Sequence, residues 1–300
     1  MIFLKNMRKI SILLFIFIAF RAIGQEKLVE VNGIRYNFLL KGFEEKSDKV
    51  PTLIFESGMG VDLGNWDKII DEISTFAPVF TYDRAGIGKS DIKFSMPTTS
   101  LVNKNLHDIL EKLKIKPPYI LVGHSLGGVY IRSFAGYYPN EVAGLVFIDP
   151  ADFTETKQDW NQIFRQMGVP EKKIDEMLYE RLYKPSPVDS LHFGPWSERQ
   201  TLTQWRKTDF AEIKTLPLPD VPILFFVGGK FEVPPQNRSK DFDQEAFFHL
   251  KNNSNMDRWK KLIYSSSKGG SLIYLTNAGH YIHRDEPKSI IQNIKLLVEQ

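Results

Sequence analysis

Cysteine is absent from the 300 residues of this chain, and long apolar runs are scarce. The first absence excludes disulfides, thiolate metal sites, a cysteine nucleophile and a lipid anchor on an N-terminal cysteine. The segment from Ile10 to Phe20 is apolar except for Ser11. Its eleven residues fall short of the roughly 18 that a membrane-spanning helix needs, and Arg21 ends it.

Basic side chains precede this apolar segment, and the small-x-small pattern Ala22-Ile23-Gly24 follows it. Such an arrangement is typical of a secretory signal peptide, here with cleavage before Gln25. We therefore predict that residues 1–24 are a signal peptide, that the mature protein is secreted or periplasmic, and that no stable membrane span remains. An uncleaved membrane anchor is the competing interpretation.

The chain also has no large net charge of either sign when residues 1–24 are left out of the count. The whole chain has 39 basic and 36 acidic side chains, but four of the basic ones and none of the acidic ones lie within residues 1–24. The remainder holds 35 basic against 36 acidic side chains, a net charge of about −1. Nucleic-acid binding requires a basic surface, so we predict no nucleic-acid partner.

Short apolar segments alternate with helical stretches along the chain, which predicts an α/β protein with a mostly parallel sheet flanked by helices. A hairpin is expected to turn at Asn32-Gly33. Four further strands end in glycine, aspartate or serine, at the sheet edge where open α/β proteins bind ligands. They lie within "TLIFESGMG" (52–60), "PVFTYDRAG" (78–86), "YILVGHS" (119–125) and "GLVFIDP" (144–150).

The short apolar segments typical of strands stop after Asp149-Pro150 and resume at "PILFFVGG" (222–229). We therefore predict a core formed by residues 25–150 and 221–300, interrupted by a helical cap insertion at 151–220. The aromatic and methionine side chains of this insertion suit either a lid over an apolar substrate or ordinary packing. A strand at 271–277 and a helix from Pro287 complete the predicted core.

The segment "GHSLG" (123–127) has the pattern G-x-S-x-G at a predicted strand-to-helix join. A serine at such a sharp turn has a strained backbone, and the flanking glycines allow the chain to pack closely around it. Ser125 is therefore our candidate nucleophile. The N–H of Leu126, at the start of the following helix, can stabilise an oxyanion.

These features resemble the α/β-hydrolase family, and the likeness extends from residue 28 to residue 300. "YDRAGIGKSD" (82–91) is similar to the segment after the fourth strand in many of these hydrolases, and "NAGHYIHRDEP" (277–287) is similar to their histidine loop. The resemblance implies that His280 is the general base that activates Ser125. His283, three residues later, is the nearest rival for this role. The pair also has metal-ligand spacing, but no third ligand is evident, so we predict no metal site.

The acid behind the histidine has two candidates. In most of the family it follows the seventh strand, where this sequence offers only Glu232, within "VGGKFEVPP". Some lipases place it after the sixth strand, and "FIDPAD" is similar to that context, which makes Asp149 a candidate. We favour Asp149, because a strand end fixes a side chain better than a proline-rich loop does, and Glu232 stays open as the alternative.

A second oxyanion donor is expected from the loop after the third strand. The family usually has His-Gly-x there, whereas this chain has "ESGMG", with Ser57 in the histidine position. The backbone N–H of Met59 would serve as the donor, whatever its side chain. Asp83 and Arg84 lie in a glycine-rich turn near the serine, and we expect them to form structural hydrogen bonds or ion pairs.

The resemblance implies a serine hydrolase that cleaves carboxylic esters of a small-molecule acyl substrate, with no metal or organic cofactor. With the predicted signal peptide, we expect this enzyme to be exported. Two alternatives remain open. One is a proline-type aminopeptidase on the same fold, although that enzyme usually has tryptophan where this chain has Leu126. The other is a non-catalytic binding protein on a hydrolase scaffold, since a fold does not determine function.

Overall fold

The computed structural model describes residues 26–43 and 50–300. The predicted signal peptide and its cleavage site before Gln25 therefore lie outside the described residues. Within the two described ranges, no helix has both the length and the apolar character needed to cross a bilayer.

A single eight-stranded sheet runs through the described residues in the order β1-β2-β4-β3-β5-β6-β7-β8. β1 and β2 form the predicted hairpin at Asn32-Gly33, and β2 also pairs antiparallel with β4; every other pairing is parallel. The prediction of a mostly parallel sheet is thus confirmed. The strands are β1 (Lys27–Val31), β2 (Ile34–Lys41), β3 (Thr52–Glu56), β4 (Val79–Tyr82), β5 (Tyr119–His124), β6 (Val142–Ile148), β7 (Ile223–Gly228) and β8 (Gly270–Leu275).

Helices cover both faces of the sheet, so the central strands are buried on both sides and consist of nearly continuous apolar residues. Helices α2, α3 and α8 pack on one face, and α1, α9 and α10 on the other. The α-helices are α1 (Ile70–Ile73), α2 (Thr99–Lys112), α3 (Leu126–Tyr137), α4 (Lys157–Gln166), α5 (Glu171–Leu178), α6 (Phe193–Lys207), α7 (Ala211–Thr215), α8 (Gln244–Tyr264), α9 (Ile282–Asp285) and α10 (Pro287–Val298).

Local sequence explains where several of these helices begin. Thr98 caps α2 by accepting the N–H of Leu101, and Thr156 and Asp159 form a reciprocal capping box at the start of α4. Helix α10 begins at Pro287, as predicted, because proline lacks the N–H that would have no partner in the first turn.

Residues 151–220 contain α4 to α7, which lie between β6 and β7 in the chain. Trp160, Phe164 and Leu178 of this segment pack with Phe247 of α8 in a core cluster of their own. These aromatic side chains therefore serve packing. That the segment acts as a cap over a substrate stays a prediction.

Helix α6 meets the loop after β4 through two glycines in direct backbone contact. A Cβ on Gly194 would lie 2.1 Å from the carbonyl oxygen of Gly86, and a Cβ on Gly86 would lie 3.0 Å from the Cα of Gly194. Real Cβ atoms do not approach within 2.1 Å, so the contact requires glycine at position 194. Gly86 combines a tight contact with a φ of 77°, a conformation that favours glycine. It holds the start of α6 against the sheet edge at which the candidate site lies.

Candidate active site

Ser125 lies at a strained turn between β5 and α3. Its φ of 52° and ψ of −118° fall in a region that non-glycine residues seldom occupy. The turn is held by its own backbone: the N–H of Ser125 donates to Ile148, and its carbonyl accepts the N–H groups of Gly128 and Ala151. The side chain therefore stands at the N-terminus of α3, beside the end of β6.

The two glycines around Ser125 are required by close packing. A Cβ on Gly123 would lie 2.6 Å from the carbonyl oxygen of Gly127, and a Cβ on Gly127 would lie 2.0 Å from that of Glu56. The pattern G-x-S-x-G thus has the physical basis that the sequence suggested, since the loop after β3 rests directly on the start of α3.

His280 and Asp149 are joined by a short hydrogen bond. Nδ1 of His280 lies 2.6 Å from Oδ2 of Asp149, and Oδ1 of the same carboxylate accepts the N–H of Gly228 at 3.1 Å. Asp149 directly follows β6, and its φ of 42° turns the chain away from the strand. A carboxylate on Nδ1 fixes the ring orientation and leaves Nε2 as the free nitrogen.

Glu232 lies near the histidine loop but makes no hydrogen bond with His280 in the described ranges. Its Oε1 forms an ion pair with Lys230 at 3.1 Å, and about half of each side chain is exposed. The carboxylate packs on Gly279, where a Cβ would come within 2.1 Å of Oε2. Of the two candidate acids, the structure therefore joins Asp149 to the imidazole.

Ser125, Asp149 and His280 converge at the carboxyl edge of the sheet. Ser125 and Asp149 follow directly on the paired residues His124 and Ile148 of β5 and β6. The ring of His124 lies 4.7 Å from that of His280, centroid to centroid. Within residues 26–43 and 50–300, the hydroxyl of Ser125 makes no hydrogen bond. This does not argue against a serine–histidine pair, because the hydrogen bond between a nucleophile and its base is often long when no substrate is bound.

The two expected oxyanion donors belong to segments that touch at Ser125. A Cβ on Gly58 would lie 3.4 Å from the Cβ of Ser125, so the loop that carries Met59 packs on the serine. The backbone N–H groups of Met59 and Leu126 donate to no acceptor in the described part of the chain. Both remain available for a bound oxyanion.

A buried arginine lies behind this loop. Arg84 forms ion pairs with Glu56 and with Glu198 of α6, and the three side chains are each less than 5% exposed. Burial opposes the charge of Arg84, but the two carboxylates raise its pKa well above the usual range. Burial also raises the pKa of Glu56, against the attraction of Arg84.

Two buried histidines, His124 and His283, pack next to the candidate site. Nε2 of His124 donates to the carbonyl of His280 at 3.0 Å, and His283 contacts Asn65 at 3.1 Å. Burial lowers the pKa of His124 well below its usual value, and that of His283 to about 3. Both are therefore neutral at physiological pH, and His283 is buried rather than exposed at the site.

Among the residues that the structure describes, none joins His280 and His283 as a third metal ligand. In the described ranges, the acidic and histidine side chains that cluster tightly enough for a metal are on α2, namely His107, Asp108 and Glu111. This group includes no residue of the candidate site.

Sequence reasoning missed Glu198. It lies 114 residues from Arg84 in the chain, within a helix that carries several other polar side chains, and no local motif marks it. The sequence did indicate an ion-pair role for Arg84, but it gave no information about the carbonyl groups that this arginine contacts.

The fold defines an open α/β protein with a strained serine turn at the carboxyl edge of its sheet. Comparison with known proteins shows which family of this class the chain belongs to. A model of the alpha/beta hydrolase fold matches residues 51–169. The 1-acylglycerol-3-phosphate O-acyltransferase ABHD5 of Rattus norvegicus is 32% identical over 279 residues, covering 83% of this chain and 77% of that protein. The chain belongs to the alpha/beta hydrolase fold family.

Two further matches cover most of the chain. Protein YqjL of Bacillus subtilis (strain 168) is 26% identical over 266 residues, which cover 87% of each chain. Among solved structures, a thermophilic esterase from Thermogutta terrifontis matches with a TM-score of 0.59 and 17% identity, over 92% of this chain and 98% of the esterase. At that identity, the structural match shows the fold alone.

Proposed function

We propose that the protein is a serine hydrolase that cleaves carboxylic esters through an acyl-enzyme intermediate. The observation that carries this proposal is the 2.6 Å contact between His280 Nδ1 and Asp149 Oδ2, at the sheet edge that also holds the strained turn of Ser125. A nucleophile, a base and an oriented carboxylate in this arrangement are the parts that acyl transfer needs.

In the proposed reaction, Ser125 Oγ attacks the ester carbonyl while Nε2 of His280 takes its proton. The N–H groups of Met59 and Leu126 bind the oxyanion of the tetrahedral intermediate. The intermediate expels the alcohol, which takes the proton from His280. Water then repeats the sequence on the acyl-enzyme, releasing the acid and restoring Ser125. Asp149 stabilises the imidazolium form of His280 in both halves.

The names of several relatives support an acyl ester as the substrate class. They include the Thermogutta esterase, a (lyso)-N-acylphosphatidylethanolamine lipase of Bos taurus that is 32% identical over 127 residues, and the acyltransferase ABHD5. Water is the acyl acceptor in our proposal. An alcohol acceptor would use the same acyl-enzyme, since only the second nucleophile differs.

A fluorophosphonate probe tests the proposal, because it labels only an activated serine. We expect labelling at Ser125 in the wild type, none in Ser125→Ala, and full labelling in Ser133→Ala, which removes a buried hydroxyl farther along α3. A folded wild type that takes no label at Ser125 would sink the enzyme hypothesis and favour a binding protein.

A substrate panel then separates the enzymatic alternatives. We expect p-nitrophenyl acyl esters to be hydrolysed, with a dependence on acyl chain length, and aminoacyl-arylamides to be poor substrates. Faster cleavage of proline arylamides than of every ester would instead assign the protein to the aminopeptidases.

We also propose that the enzyme is exported after removal of residues 1–24. The basic, apolar and small-x-small order of this segment supports the proposal. Intact mass measurement of the protein from a secretion-competent host is expected to give a mature chain that begins at Gln25. Retention of the full-length chain in the membrane fraction would favour the anchor interpretation.

A further inference from the structure

The loop that carries Met59 is held by one guanidinium group. Nη1 of Arg84 donates to the carbonyl of Ser57 at 2.8 Å and to Oε2 of Glu56 at 3.0 Å, and Nη2 donates to the carbonyl of Gly58 at 2.7 Å. Three successive residues at the end of β3 are thus fixed by a single buried side chain.

The contact with Gly58 bears directly on the proposed oxyanion donor. The carbonyl of Gly58 and the N–H of Met59 belong to the same peptide unit, which is trans. In a trans peptide these two groups point in opposite directions within one plane. By holding the oxygen at 2.7 Å, Arg84 sets the direction of the N–H. Its charge also draws electron density toward that oxygen, which strengthens the N–H as a donor.

Glu198 connects this arrangement to α6. Its Oε1 accepts from Nε of Arg84 at 2.6 Å, and its Oε2 accepts the N–H of Gly60 at 2.7 Å. One carboxylate therefore holds both the arginine behind the loop and the residue directly after Met59. Pro195, one helical turn earlier, packs on Gly60 from the same side.

We propose that Arg84 and Glu198 are positioning residues for the oxyanion site formed by the N–H groups of Met59 and Leu126. Through these two side chains, helix α6 of the inserted segment determines the orientation of the Met59 N–H. This inference rests on the proposed function, because it assigns a role within the same acyl transfer. It predicts that changes in α6 alter the chemical step even when they leave substrate binding intact.

A purely structural ion pair does not account for these contacts equally well. A buried pair can often be replaced by apolar residues at little cost. Its remaining donors and acceptors need partners, but a purely structural pair does not require those partners to lie in one loop. Here three of the hydrogen bonds made by Arg84 and Glu198 end on backbone groups of residues 57 to 60. The donors and acceptors that the ion pairs leave over are therefore satisfied by the segment that would bind the oxyanion.

The test uses Glu198→Gln, Glu198→Ala and Arg84→Lys in the full-length protein, each assayed with a p-nitrophenyl ester. Lysine keeps the positive charge but lacks the planar fork that reaches several acceptors at once. Glu155→Gln is the matched control, because the Glu155 side chain is likewise buried, at 5% exposed, and pairs with Lys251 at 2.5 Å and with Arg206 of α6 at 3.6 Å, but it has no ion pair or hydrogen bond with residues 57 to 60. Thermal melting of each variant shows which are folded at the assay temperature.

We expect kcat to fall by about tenfold to a hundredfold in Glu198→Ala and Arg84→Lys, less than the roughly 10²- to 10³-fold loss when an oxyanion donor is removed outright. A smaller fall is expected in Glu198→Gln, which keeps one oxygen acceptor. KM should stay near the wild-type value, and Glu155→Gln should keep the wild-type kcat. A trifluoromethyl ketone, which adds to the serine and forms an oxyanion, should bind more weakly by the same factor as kcat falls.

Three outcomes are distinguishable. The inference would be overturned if Glu198→Gln and Arg84→Lys both fold and both keep the wild-type kcat and ketone affinity. The proposed function would then still stand. Equal losses in Glu155→Gln would also overturn it, because any buried ion pair would then have the same effect. An inactive wild type that the fluorophosphonate does not label would reject the proposed function itself, and this inference with it.

Discussion

Asp149 and His280 are separated by 131 positions in the chain, yet their side chains meet at 2.6 Å. The contact arises because β6 ends at the carboxyl edge of the sheet, and the loop that carries His280 begins at the same edge, after β8. The second carboxylate oxygen of Asp149 accepts the N–H of Gly228, at the end of β7. The carboxylate is therefore anchored to the sheet on one side while it orients the imidazole on the other.

This geometry predicts unequal effects for the two acids. We expect Asp149→Asn to lower kcat by about 10²- to 10⁴-fold, because an amide neither holds the correct tautomer nor stabilises the imidazolium. Glu232→Gln should stay close to the wild type, since it loses only an exposed pair with Lys230. Steady-state kinetics on one ester decide the matter. The reverse order of effects would make Glu232 the acid.

The backbone of Ser125 provides a stability prediction. A residue held at such a φ and ψ carries about 1–3 kcal/mol of strain, which glycine does not experience. Glycine costs about 0.5–1 kcal/mol in chain entropy, so we expect Ser125→Gly to be about 1 kcal/mol more stable than Ser125→Ala. Both variants should be inactive. Urea unfolding measures the difference, and a more stable alanine variant would mean that the turn is unstrained.

Gly127 should tolerate no side chain. Alanine is normally about 1 kcal/mol better than glycine within a helix, so any loss of stability in Gly127→Ala must come from the Cβ placed 2.0 Å from the Glu56 carbonyl. We expect a loss of about 3 kcal/mol or more.

Gly144→Ala is the matched control for this substitution. Its new Cβ would lie 3.3 Å from the flexible end of Leu297 and at an ordinary contact distance of 3.5 Å from Cγ1 of Ile120, so we expect a cost of at most about 1 kcal/mol. Equal stability losses in the two variants, measured by thermal unfolding, would contradict the close packing described at Gly127.

The buried His283 predicts a loss of stability in acid. Its pKa is about 3 in the folded protein against an ordinary value of 6.5, so between these values the unfolded chain binds the additional proton. Stability therefore falls as pH drops from about 6.5 toward 3, by up to about 1.4 kcal/mol per pH unit for one such group. His124 acts in the same direction, since its pKa is also lowered.

The measurement is urea unfolding of the wild type and His283→Gln from pH 7.5 to pH 4. The variant should be less stable near neutrality, where it loses the packing and the Asn65 contact of the histidine, but its stability should depend less steeply on pH. His249→Gln, at an exposed side chain, should keep the wild-type slope. An unchanged slope in His283→Gln would show that this histidine is not the group responsible.

Much of the fold was predictable because its signals are local. Each parallel strand is a short apolar run, the turn at Ser125 needs glycine on both sides within five residues, and Pro287 marks the start of the last helix. The resemblance of "NAGHYIHRDEP" to a histidine loop likewise depends on adjacent residues. These features are encoded in neighbouring positions, where sequence patterns are informative.

The remaining features depend on distances between remote parts of the chain. Asp149 and Glu232 follow adjacent strands that reach the same sheet edge, so their order in the sequence cannot show which one contacts the imidazole. The side-chain directions decide it, and these depend on the backbone turn at Asp149. Glu198 reaches Arg84 only because α6 packs against the loop after β4, and no periodicity records such a contact.

The backbone contact between Gly86 and Gly194 has a consequence for how this protein could be diversified. An exchanged insertion from a relative would have to present glycine opposite Gly86 and, four residues later, a carboxylate opposite Arg84. Grafts that lack either feature should assemble poorly or turn over slowly, whatever pocket they bring. We expect new substrate preferences to be reached more readily by point substitutions along the existing α6 than by modular replacement.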